Sequence, residues 1–121
     1  MTVHRIKSYT ADTGYVWQYH FEKVRSGPDV SGRGGRAGSE YIFVVSRDRR
    51  TSYPVPVFLS REAMEAWAAA HGRELSGAEQ YAAVKMRLFR AFDEIEDLAP
   101  ARDRIEVTPE NIAELLAPLV E

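Results

Sequence analysis

Side-chain polarity along this chain alternates with a period of two until about residue 59 and then changes to a period near 3.6. The first period belongs to strands with one buried face, the second to amphipathic helices. Four strand-like segments therefore come first, over residues 3–59, and two to three helices follow over 60–119. Strands grouped ahead of helices, instead of alternating with them, predict an α+β fold in which a four-stranded antiparallel meander carries the helices on one face. At 121 residues, 45% of them hydrophobic, the span 1–121 is the size of one domain with one core.

Residues 3–10 and 15–25 read as a hairpin around Ala11-Asp12-Thr13-Gly14, whose Asp and Gly are turn formers. Tyr15, Trp17, Tyr19 and Phe21 share one face of the second strand, expected to be the core face, and Gln18, His20 and Glu22 share the other. Residues 40–46 are apolar on both faces, as a central strand should be, and Arg47-Asp48-Arg49-Arg50 makes the next turn. In the fourth strand, 51–59, Pro54 and Pro56 lack N–H groups on the same lateral side. That side cannot accept a neighbour, so the strand is expected at a sheet edge.

The helices carry their own punctuation. Ser60 is placed to cap the first, Glu62 favours its positive end, and Gly72 stops it. Ser76 and Glu79 match a capping box for a second helix reaching about Asp97, with Tyr81, Leu88, Phe92 and Ile95 on its inner side. Residues 105–107 are expected to be extended. Thr108 then caps a last helix with Pro109 at its first position, Ile112, Leu115, Leu116 and Leu119 as its stripe, and Pro118 as its end.

Between the second and third strands lies Ser26–Ser39, a run holding five of the eight glycines, with Arg33 and Arg36 inside it and Arg25 just before. Its letters fit G-x-G-x-x-A, but a strand follows where a dinucleotide fingerprint needs a helix. Its P-loop spacing fails too, because Arg33 and Gly34 stand where Lys and Ser or Thr are required. What remains resembles a flexible arginine-containing loop of the kind that contacts nucleic acid through charge and stacking. Fixing each loop residue costs roughly 1–2 kcal/mol, so an unoccupied 26–39 loop is expected to be mobile.

Composition narrows the function classes. Absence of cysteine excludes disulfides, thiolate zinc sites and cysteine nucleophiles, and suits a cytoplasmic protein. No apolar stretch approaches the roughly 18–20 residues of a membrane span. The histidines His4, His20 and His71 lack metal-ligand spacing, and no cofactor motif or nucleophile triad is present. Residues 1–59 hold nine Lys or Arg against five Asp or Glu, net +4, whereas 60–121 hold seven against thirteen, net −6. Such polarity can steer an anionic partner or bring two copies together.

Three functional expectations follow. The first is a small non-catalytic interaction domain, a homodimer or the partner of another protein, because the apolar faces of Tyr41–Val45 and Phe58 exceed what a half-covered sheet hides. The second is nucleic-acid binding through Arg25, Arg33 and Arg36, with Tyr9 or Tyr41 as aromatic contacts. The third is an enzyme whose site is the Gln18, His20 and Glu22 face.

Overall fold

The chain is described here by a computed structural model covering residues 5–28, 30 and 34–119. Its strands are β1 (Lys7–Thr10), β2 (Val16–Gly27), β3 (Gly38–Ser46), β4 (Tyr53–Ser60) and β5 (Glu106–Val107), hydrogen-bonded in the order β1-β2-β3-β4-β5. The α+β class and the antiparallel pairing of the first four strands follow the sequence pattern. The four-stranded meander does not: β5 pairs parallel to β4, at Phe58 with Glu106 and Leu59 with Val107, and makes the sheet a mixed one of five strands.

The same strand corrects the expectation that β4 is an edge. Phe58 donates its N–H to the Ile105 carbonyl at 3.0 Å, so the even-numbered residues of β4 direct their backbone groups toward β5. Pro54 and Pro56 have no N–H to offer on that side. β5 accordingly joins beyond the prolines, and the 3-10 helix Ala99–Arg104, which delivers it, packs against β4.

β2 and β3 pair from Gln18↔Ser46 to Gly27↔Gly38, so the loop expected over 26–39 is shorter at both ends. A bulge between Phe21 and Lys23 leaves Glu22 unmatched. One extra residue reverses the faces. Val24, opposite Tyr41, joins Trp17, Tyr19 and Phe21 on the helix side, while Lys23 and Arg25, opposite Ile42 and Glu40, turn outward. Within the expected core face, Trp17 and Tyr19 are buried. Phe21 and Tyr15 stand at its margin, 36% and 38% exposed.

The helices are α1 (Arg61–His71), α2 (Gly77–Glu94) and α3 (Ile112–Leu116). Ser60 Oγ accepts the Ala63 N–H, Gly72 closes α1 at φ 72°, and Ser76 and Glu79 form the full capping box, as their spacing predicts. α2 stops at Glu94, short of Asp97, where Ile95 turns extended. The last helix begins later than predicted. Thr108 and Asn111 exchange side-chain and backbone hydrogen bonds across Pro109 and Glu110, which form a turn ahead of α3.

Ala63 and Trp67 of α1, Val84, Leu88 and Phe92 of α2, and Ile112, Leu115 and Leu116 of α3 share one core with Trp17, Phe43, Val55, Val57 and Leu59 of the sheet. Trp17 stacks on Phe92 with ring centroids 4.5 Å apart, and Tyr9 stacks on Phe89 at 4.2 Å. All three helices thus serve one face. Among the described residues no helix is long and apolar enough to cross a membrane.

Candidate binding surface

The predicted arginines lie on the outer face, opposite the helices, and each described one already holds a carboxylate. Arg25 faces Glu40 across β2 and β3 and forms an ion pair with it at 3.3 Å. Arg36 reaches across β4 to β5, donating from both terminal nitrogens to the two Glu106 oxygens at 3.0 and 2.7 Å, and its guanidinium lies 5.1 Å from the Phe58 ring centre. Backbone bonds from Val30 N–H to the Arg36 carbonyl and from Arg61 N–H to the Ala37 carbonyl fasten the same stretch. Arg33 lies outside the described residues.

Gly38 explains why the chain can enter β3 this way. A Cβ there would run into the Leu59 carbonyl oxygen and come within 2.9 Å of the Phe58 ring. Glycine alone permits so close an approach.

The other expected participants are scattered. His20 lies on the outer face opposite Val44, in a groove of about 200 Å³ with Gln18, Ile6, Arg49 and Arg50. Glu22 is taken up by the bulge. Tyr9, proposed as a nucleic-acid contact, spends its ring on Phe89 and donates its hydroxyl to Asp93 at 2.8 Å. Burial and that carboxylate push its pKa up to about 12. Tyr41 is only 9% exposed. Among the described residues no three His, Asp or Glu side chains gather as metal ligands, and His4 lies outside them.

A different set of residues converges on the helix side. Lys7 opposes Tyr19 across β1 and β2, and so projects onto the helix face. On α2, Tyr81, Lys85 and Phe89 are spaced four apart and form one ridge. This ridge sets Lys85 Nζ 5.8 Å from the Tyr19 ring centre, 6.0 Å from Tyr81 and 5.8 Å from Phe89. Two of the chain's three lysines therefore meet over Tyr19. Burial against the rings, and then the Lys7 ammonium facing it, lower the Lys85 pKa from its ordinary value.

Beside the lysines, Arg5, Lys7, Tyr19, His20, Phe21 and Tyr81 line a hollow of about 190 Å³. Phe21 meets Tyr81 edge to face at 5.5 Å, and Val24, 46% exposed, continues the apolar margin along β2. Among the described residues no carboxylate forms an ion pair with Arg5, Lys7 or Lys85. The arrangement offers unneutralised ammonium groups next to exposed ring surface, which is chemistry for holding an anion and an apolar group side by side.

Part of this surface was legible in the sequence. Residues 81, 85 and 89 share a helix face, and Lys7 has the parity of Tyr9. Its assembly needs the β1–β2 register and the placement of α2, which local patterns do not carry. Comparison of the chain with protein families, with curated proteins and with solved structures gives no match.

Proposed function

We propose that the protein is a small non-catalytic binding domain that holds an anionic partner on the helix-side margin of its sheet, over Lys7, Lys85, Phe21 and Val24. The observation that carries this reading is the meeting of Lys7 and Lys85 over Tyr19 without a carboxylate. Two like charges held together cost stability, and an oxyanion between them removes that cost. Heparin, a polyanion without aromatic rings, is a suitable probe in an NMR titration. Amide shifts concentrated at Lys7, Phe21, Val24 and Lys85 are expected. Shifts confined to the Arg25 and Arg36 side, or none, would reject the reading.

A second reading, self-association, is favoured by the opposite charges of the two halves of the chain and by the exposure of Phe21 and Val24. Light scattering should then return a concentration-dependent dimer that Phe21→Asp abolishes. A strict 13.7 kDa monomer at high concentration removes it.

A further inference from the structure

The geometry points to single-stranded nucleic acid as the anionic partner, with one backbone phosphate held between Lys7 and Lys85 and an adjacent base laid against Phe21 and Tyr81. This inference rests on the reading above and names its ligand. Three observations carry it. Lys7 lies opposite Tyr19 in the β1–β2 register and Lys85 Nζ lies 5.8 Å from the Tyr19 ring centre, so two ammonium groups from different elements stand on one face, an arrangement suited to a single oxyanion. Phe21 and Tyr81 border the hollow that Lys7 and Arg5 line, which puts ring surface within one nucleotide step of the charge. The hollow, about 190 Å³, is also smaller than the roughly 300–1,000 Å³ of sites that enclose a small molecule. That size suits a ligand that continues beyond the hollow, as a polymer strand does.

The bulge at Glu22 contributes as well. By reversing the faces of β2, it brings Val24 rather than Lys23 to the helix side, and so extends the apolar track beyond Phe21. Lys23 and Arg25 stand on the opposite face of the same strand. Arg25 is held by Glu40, so a strand lying along the margin of β2 has the Lys23 ammonium on its far side.

The test is fluorescence anisotropy with a labelled mixed-sequence ten-nucleotide single strand, on the full chain at several salt concentrations, beside inorganic polyphosphate and heparin as competitors. Affinity is expected to fall steeply with salt, because phosphate contacts release counterions. Lys7→Gln with Lys85→Gln should weaken binding about tenfold and flatten the salt slope by about 1. Phe21→Ala should weaken it about tenfold without changing the slope. Circular dichroism on each variant checks that the fold is kept.

Oligonucleotide binding that ignores all three substitutions overturns the inference. Competition by polyphosphate as effective as by the unlabelled strand also overturns it, since bases then add nothing. Heparin shifts at Lys7 and Lys85 without oligonucleotide binding reject nucleic acid and leave the binding-domain reading standing. Failure of every polyanion removes both.

Discussion

Arg36 and Lys85 are both cations set over aromatic rings, and the sheet separates them. Arg36, on the outer face, lies on Phe58 and grips Glu106 with both arms of its guanidinium. Lys85, on the helix face, lies among Tyr19, Tyr81 and Phe89, and the charge that acts on it is another lysine, Lys7. One cation closes a piece of structure, and the other is left with spare charge. Richness in arginine draws attention to the glycine run, yet a basic residue indicates a ligand only where no carboxylate answers it. Arg73 belongs with Arg36, since it lies 4.8 Å from the Trp67 ring centre and forks onto Glu79 at 2.8 Å.

The contrast makes opposite predictions for stability, measurable by urea unfolding. The largest effect is expected at the seat of the glycine loop. Gly38→Val forces a side chain into Leu59 and Phe58 and should cost about 3 kcal/mol. Arg36→Met removes the fork and leaves Glu106 half-buried without its partner, for a loss of about 2 kcal/mol. Lys85→Met should do the reverse and stabilise by about 0.5 kcal/mol, because it removes a like-charge contact and keeps the packing on the rings. If Lys85→Met destabilises as Arg36→Met does, the two cations play the same role and the contrast collapses.

The smallest effect is a pH dependence. The Arg73 guanidinium, followed by the Ser76 N–H, holds the Glu79 carboxyl at about 2, below its ordinary 4.5. A lowered carboxylate pKa gives stability that is present above the unfolded value and is lost as pH falls through the folded one. The loss should therefore run from about pH 4.5 down to about pH 2, and Glu79→Gln should flatten that part of the profile. An unchanged profile would place Arg73 with the unanswered cations.

The sequence revealed what local chemistry decides. Ser60, Gly72 and the Ser76–Glu79 box mark helix ends because their partners lie within four residues. Alternation in β2 identified Trp17 and Tyr19 as core. It could not locate the bulge, since an extra residue at Glu22 leaves no mark on composition, although it changes the face of everything after it. Pro54 and Pro56 correctly told which lateral side lacks donors. They were silent about a two-residue strand arriving from nearly fifty positions later and pairing just past them. Lys7 and Lys85 stayed hidden for a similar reason, since each looks like an ordinary surface lysine until the register brings them together.

The Arg36–Glu106 fork spans seventy positions of chain. During synthesis from the N-terminus, the first four strands can pair well before Glu106 is made. Throughout that interval the arginine has no carboxylate to grip, and β4 lacks the strand that will lie beyond its prolines. Closing the outer side of the sheet is therefore a late event of high contact order, and its rate should follow the arrival of the C-terminal third rather than the formation of the hairpins.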